Sequence, residues 1–202
     1  MKEHKNENID PDSENVLRCQ KDDAGAFEEI VRQYQKKMFN ISYRITGDYN
    51  EAAEVTQDAF VSAYRNIKNF RGKSRFSTWL YAIVVNLSRN RLKQIRARTL
   101  KEQFSFNDPV DTAGGQLQRE HASPALSVLD KLEKREVEQR VQGCINALDN
   151  EFKEVIVLRD IQGFSYDEIS DMLEIAGGTV KSRLHRARES VRSCLKKLIG
   201  DI

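Results

Sequence analysis

Few residues in this chain can stop a helix, and its apolar residues return at helical spacing almost throughout. Gly contributes 10 and Pro 3 of the 202 residues. Runs with the two-residue alternation of a half-buried strand are scarce. The period predicts helices over about 14–22, 24–46, 49–67, 76–98, 126–147, 150–162, 166–173 and 179–198. Breaks fall at "TGDYN", "NFRGKS", the "GF" after Gln162 and "EIAGG". One longer stretch, residues 102–125, holds Pro109, Gly114, Gly115 and Pro124 and keeps no period. It reads as a linker that, fully extended, would span on the order of 75 Å. The expected fold is all-α: two small helical domains, residues 14–101 and 126–202, joined by this flexible linker, the C-terminal one a helix-turn-helix. An acidic disordered tail is expected over residues 1–13.

Charge is segregated along the chain. Residues 1–64 sum to −5, residues 65–101 to +11, residues 102–178 to −9 and residues 179–202 to +5, so the net +2 conceals two cationic blocks. Two such blocks separated by acidic sequence suggest two contacts with one polyanion. The acidic segments would limit binding at random sites, because unspecific affinity comes mainly from phosphate neutralisation. No apolar run approaches the roughly 18–20 residues needed to span a bilayer. The N-terminus is polar and acid-rich, unlike a signal or transit peptide, so a cytoplasmic protein is expected.

Catalytic signatures are missing from the pattern. The three His, at 4, 121 and 185, are scattered, and no Ser/His/Asp, Cys/His, paired-carboxylate or phosphate-loop constellation occurs. The expectation is no enzyme, no catalytic residues, no metal and no cofactor. Cys19, Cys144 and Cys194 are odd in number, far apart and without CxxC spacing. They read as three reduced thiols packed as small hydrophobes, not as a disulfide framework or zinc site.

The window "FSYDEISDMLEIAGGTVKSRLHRARESVRSCL" has the spacing of a helix-turn-helix. Tyr166, Ile169, Met172 and Leu173 make one apolar face, and Gly177 and Gly178 mark the turn. Thr179 or Gly178 can cap the second helix. There Val180, Leu184, Ala187 and Val191 form the docking stripe, while Lys181, Ser182, His185, Arg186 and Glu189 occupy the opposite face. Apolar docking with polar residues near the helix N-terminus is the division a major-groove reader needs. Lys181 and Arg186 suit guanine edges or phosphates, and His185 an acceptor edge. Arg183, Arg188 and Arg192 lie on the flanks and suit phosphates.

The other cationic block, "FRGKSRFSTWLYAIVVNLSRNRLK", interleaves two Phe, a Trp and a Tyr with cations, and residues 65–101 contain no acid. Leu80, Ile83, Val84 and Leu87 form a core stripe. Asn86, Arg89, Asn90 and Lys93 fall about 120° away, and nothing acidic nearby is expected to pair with the cations. Rings beside a cationic groove are the usual means of holding single-stranded bases. Trp79 and Tyr81 flank the stripe and read as partly core; Phe70 can close the preceding helix and Phe76 staple the next. In the helix before this loop, Ala52, Val55, Ala59, Phe60, Ala63 and Tyr64 are expected inside. Glu51, Glu54, Gln57 and Asp58 form an acidic edge suited to a basic protein partner.

Together "AFEEIVRQYQKKMF", "EAAEVTQDAFVSAYRNI", "FRGKSRFSTWLYAIVVNLSRNRLK" and "FSYDEIS…GTVKSRLHRARE" resemble, in order and spacing, the extracytoplasmic-function (ECF) sigma factors of bacterial RNA polymerase, a sigma-E-like branch of the sigma-70 family. The resemblance covers about residues 24–98 and 136–195. It implies a promoter-specificity subunit with sigma region 2 at 14–101 and sigma region 4 at 126–202. The implied partners are core RNA polymerase, through its clamp and flap regions, promoter DNA in duplex and single-stranded form, and an anti-sigma factor. No small-molecule substrate is implied, and the free protein would be a monomer. Polymerase contact falls on Glu54, Gln57 and Asp58. Opening of the −10 element and capture of a flipped base fall on Arg71, Lys73, Arg75, Phe76, Ser77, Asn86, Arg89, Asn90 and Lys93. Reading of the −35 element falls on Thr179, Lys181, Ser182, Arg183, His185 and Arg186. The linker resembles the segment threaded toward the RNA exit path.

The turn departs from the family pattern, with Glu174 where Gly is frequent and Ala176-Gly177 where a Pro and a larger residue are common. A non-Gly residue at positive φ carries a penalty there. Two other classes fit parts of the sequence. A free-standing dimeric regulator accounts for residues 165–198 but leaves the ring-and-cation loop and the acidic edge unexplained. A nucleic-acid-processing enzyme lacks a catalytic cluster. Tight promoter binding only with core polymerase present separates the first reading from both.

Overall fold

The computed structural model describes residues 10–105 and 128–199, all helix, turn or loop without a strand among them. Helix α1 is Ser13–Gln20, α2 Ala24–Thr46, α3 Tyr49–Asn66 and α4 Phe76–Ser105. The C-terminal module has α5 Val128–Asn146, α6 Asn150–Ile156, α7 Tyr166–Leu173 and α8 Gly177–Ile199. Residues 106–127, most of the expected linker, lie outside the described residues.

Short polar side chains start α2, α3 and α7. Asp23 accepts from the Ala26 N–H and Asp48 from the Glu51 N–H, each satisfying an orphan donor of the first turn. Ser165 and Glu168 close a reciprocal capping box on α7. Gly47 ends α2 at φ +79, and a Cβ there would lie 2.6 Å from the Asn146 side chain, so both backbone conformation and the approach of α5 favour glycine.

In the N-terminal module α2, α3 and α4 enclose Ile30, Met38, Ile41, Ala59, Phe76, Leu80 and Val84, all fully buried. The end of the expected disordered tail is built into this core. Asp12 is 2% exposed and accepts from the Tyr34 hydroxyl and from Gln33. Asp10 accepts from the Phe76 N–H at 2.6 Å, capping α4 across 66 residues of sequence. The helix also runs past residue 98 to Ser105, into the predicted linker.

The C-terminal module buries Ile145, Val155, Leu158, Ile169, Met172, Val180, Leu184 and Ala187. After Ile156 the chain winds through a π-turn over Val157–Ile161, with the Gln162 N–H donating to the Val157 carbonyl at 3.0 Å. Cys144 of α5 and Cys194 of α8 form a disulfide, with Cα atoms 5.7 Å apart. The expectation of three reduced thiols is therefore corrected: helix packing brings together two cysteines 50 residues apart, which no local spacing reveals. Cys19 alone is free, and it is buried.

The modules pack on each other. The ring of Phe164 meets that of Tyr81 at 5.0 Å, and Lys37 lies over both, 4.1 Å from the Phe164 centroid and 5.2 Å from that of Tyr81. Burial pushes the Lys37 ammonium below its ordinary value. Arg44 donates to the Gln142 Oε1 at 2.8 Å, and Arg89 of α4 meets Glu154 of α6.

Candidate nucleic-acid interface

Helix α8 presents the arrangement expected of a reader. Its buried stripe is Val180, Leu184 and Ala187, with Val191 half-buried. On the other side Lys181, Ser182, His185 and Arg186 point away from this stripe, and neither Lys181 nor Arg186 has an ion-pair partner among the described residues. The helix begins at Gly177, earlier than expected, and its first bonds run from the Thr179 and Val180 N–H groups to the Ala176 carbonyl at 2.8 and 3.1 Å. Thr179 thus sits inside the first turn, half-buried, instead of capping it. Glu174 adopts the left-handed conformation at φ 54, as the sequence pattern of the turn implies.

The flanking cations are held in place. Arg183 pairs with Glu151 at 2.7 Å, and Arg188 grips Asp160 through two bonds of 2.6 and 2.9 Å. Such pairs fix the orientation of α8 against α6 and the π-turn, leaving Arg186, and Lys181 whose Nζ lies 5.9 Å from the Tyr166 ring centroid, for a polyanion.

In the N-terminal module, Arg71, Lys73 and Arg75 project from the loop before α4 without an acidic partner among the described residues. A groove of about 680 Å³ lies between this loop and α1, lined by Leu17, Gln20, Phe70 and the three cations. Gln20 donates to the carbonyls of Ile67 and Phe70, both at 3.0 Å, pinning the loop at its start. Ser77 lies at the base of α4, with Asn86, Asn90 and Lys93 exposed farther along it.

Two members of this set behave differently from expectation. Phe76 is 0% exposed, packed at 5.6 Å from Phe70 and 5.5 Å from Trp79, so its ring serves the core and offers no face to a base. Arg89 is engaged: its guanidinium donates twice to Glu154, at 2.7 Å each, where the Glu154 side chain is 4% exposed. The bond to Glu154 holds the Arg89 guanidinium above its ordinary value. The acid that pairs with this cation comes from the other module, 65 residues away.

Along α3, Glu54, Gln57 and Asp58 are exposed as expected. Arg91 of α4 ties the acidic edge, reaching Glu51 at 2.6 Å, Glu54 at 2.7 Å and Asp58 at 3.7 Å. Tyr64, expected inside, is 48% exposed, and Val61 is 41% exposed. With Gln57 they recur at i, i+4 and i+7, so Val61 and Tyr64 extend the exposed face of Gln57 with apolar surface beside the acids. That spacing carries the signal; assigning Tyr64 to the inner face obscures it.

Two family models match the chain: Sigma-70 region 2 over residues 30–99 and Sigma-70, region 4 over residues 138–191. The RNA polymerase sigma-H factor of Pseudomonas aeruginosa is 34% identical over 190 residues, 94% of this chain and 96% of that protein. The chain belongs to the ECF sigma factors of the sigma-70 family. The ECF RNA polymerase sigma-E factor of Haemophilus influenzae is 34% identical over 184 residues, covering 91% of this chain and 95% of the relative. For the ECF RNA polymerase sigma factor SigW of Bacillus subtilis the identity is 33% over 183 residues, with 91% and 96% covered. Among solved structures, CnrH in complex with the cytosolic domain of CnrY shares the fold at TM-score 0.66 and 21% identity, over 92% of this chain and 97% of that one. The sigma factor RpoE of Bartonella quintana, solved with the anti-sigma factor NepR, does so at 0.62 and 24%, over 84% and 96%. On this sigma factor the region 2 match spans the loop and the α4 cations up to Arg98, and the region 4 match spans all of α7 and the N-terminal half of α8. Helix α1, which walls the loop groove, precedes the region 2 match.

Proposed function

We propose that this protein binds core RNA polymerase, directs it to specific promoters and helps open the DNA at initiation, without itself catalysing a reaction. The observation that carries this reading is the pairing of two separate cationic faces with two modules that match sigma regions 2 and 4. Lys181, Ser182, His185 and Arg186 read duplex base edges at the −35 element, with Thr179 and Arg183 placing the helix. Arg71, Lys73 and Arg75 follow the backbone of the displaced −10 strand. The groove beside them takes an unstacked base against the half-buried ring of Phe70, while Ser77, Asn86, Asn90 and Lys93 extend the interface along α4. Phe76 supports this loop from beneath.

Glu54, Gln57 and Asp58, with Val61 and Tyr64, form the surface for the polymerase clamp, and the C-terminal module meets the flap region. An anti-sigma factor covering these surfaces fits two solved neighbours, CnrH and RpoE, each of which is held in a complex. The free protein acts as a cytoplasmic monomer with no small-molecule substrate.

The test of the polymerase surface is Asp58→Lys. Reversing an exposed charge beside Arg91 leaves the helical fold intact, as circular dichroism would show, and lowers affinity for core polymerase by roughly tenfold or more, about 1.4 kcal/mol. Normal polymerase affinity in that variant removes the acidic edge from the interface. Tight promoter binding by the protein without polymerase would favour a free-standing regulator.

A further inference from the structure

Cys144 and Cys194 belong to neither DNA-contacting face, yet they are bonded. A polymerase subunit works where thiols are kept reduced, so a bond between two of its helices requires an oxidant to make it. We propose that the Cys144–Cys194 disulfide is a reversible, peroxide-driven cross-link in the DNA-reading module, with Cys194 the thiol oxidised first and Cys144 the resolving thiol. The proposal rests on the promoter reading only for the reducing compartment.

The two sulfurs differ in access. Cys194 is half-buried and opens onto a surface depression of about 570 Å³, which it lines with Glu189, Ser193 and Lys197. Cys144 is 1% exposed on the inner face of α5. An oxidant in solution therefore meets Cys194, and only the sulfur of Cys194 meets Cys144. The third thiol is an internal control: Cys19 is 3% exposed in the other module, and burial pushes its pKa up, which suppresses the reactive thiolate.

The chemistry balances with one peroxide. The Cys194 thiolate attacks one peroxide oxygen and the O–O bond breaks. That oxygen stays on sulfur as the sulfenic acid, and the other leaves as hydroxide, taking up a proton to become water. The Cys144 sulfur then attacks the Cys194 sulfur. The S–O bond breaks, the S–S bond forms, and the oxygen departs as a second water with the Cys144 proton. Two thiols are oxidised and one peroxide is reduced to two waters. A dithiol reductant reverses the step by exchange.

The bond ties α5 to the C-terminal half of α8, the same helix whose N-terminal half carries Lys181 and Arg186. It also joins the two walls of an apolar groove that α5 lines with Val141 and Ile145, and α8 with Val191 and Leu195. Closing a loop of 50 residues restricts the unfolded chain, so oxidation holds the reading helix in place at temperatures that unfold the reduced module.

The experiment uses the full chain, reduced with dithiothreitol and then treated with hydrogen peroxide. It is unfolded in guanidinium, alkylated and weighed. The expected result is three alkylated thiols before peroxide and one after, with no dimer, and restoration of three by fresh dithiothreitol. Oxidation should raise the melting temperature by on the order of 10 °C. Both effects should vanish in Cys194→Ser, a substitution at the more accessible position, and persist in Cys19→Ser. Three alkylatable thiols after peroxide, disulfide-linked dimers, or an unchanged melting temperature would overturn the proposal. None of these readouts involves polymerase or DNA, so their failure leaves the promoter reading standing, and failure of that reading shows instead in transcription.

Discussion

Lys153 is a cation held 2% exposed at the heart of the C-terminal module, where its Nζ donates to the Asn146 carbonyl at 3.3 Å. Burial, aided by the charge of Arg96, pushes its pKa down to about 8 from 10.5. Between those values the unfolded chain binds the extra proton, so the Lys153 contribution to stability rises with pH across the window and is least favourable below pH 8. From about pH 7.5 to 9.5 the gain should be about 2 kcal/mol in urea denaturation, and Lys153→Met should abolish it. A flat profile in the parent chain would contradict the burial. Above about pH 10 the rise should reverse, because burial raises the pKa values of Tyr34 and Tyr81, which ionise more readily in the unfolded chain. In sequence Lys153 is one charge among many in an acidic stretch. Its burial depends on neighbours in space, and no periodicity discloses them.

At the scale of elements the sequence is most legible where one face decides the outcome. The stripe Val180, Leu184 and Ala187 is buried as its spacing predicts, which leaves Lys181 and Arg186 outward. Replacing each with Ala should weaken −35-dependent transcription, at a cost of about 1–3 kcal/mol for each base-specific hydrogen-bonding pair that the truncation removes. Promoter preference unchanged in the double variant would remove α8 as the reader. Legibility falls where partners are distant in sequence. The rings of the cationic block look like stacking platforms until the fold places Phe76 against Phe70 and Trp79, beneath the loop they share. The start of α4 also depends on Asp10, a residue in a segment whose composition suggests disorder. Composition cannot show that one carboxylate of such a segment has an orphan N–H to cap.

In the whole molecule the two modules share an interface that neither reveals alone. Arg89, one of the cations expected at the −10 strand, commits its guanidinium to Glu154 of the C-terminal module, and the ring of Phe164 closes over Lys37 elsewhere along the same junction. The pair with Glu154 takes two of the five N–H donors of Arg89 and offsets its charge, so full engagement of a phosphate by Arg89 requires the modules to separate. Glu154→Gln should free it and raise the affinity of the isolated protein for a single-stranded −10 oligonucleotide by roughly tenfold, the equivalent of about 1.4 kcal/mol. Equal affinity would mean that Arg89 takes no part in strand binding. The charge blocks make the two-site character readable, but the docking that pairs +11 with −9 sequence is a tertiary event.

If this chain gives core polymerase its choice of promoter, run-off transcription from a pool of genomic fragments shows it at once. Purified core polymerase is supplied with or without this protein. Discrete new transcripts should appear that need both components and share upstream −35 and −10 sequences. No new transcripts, together with tight fragment binding by the protein alone, would contradict the role of promoter-specificity subunit.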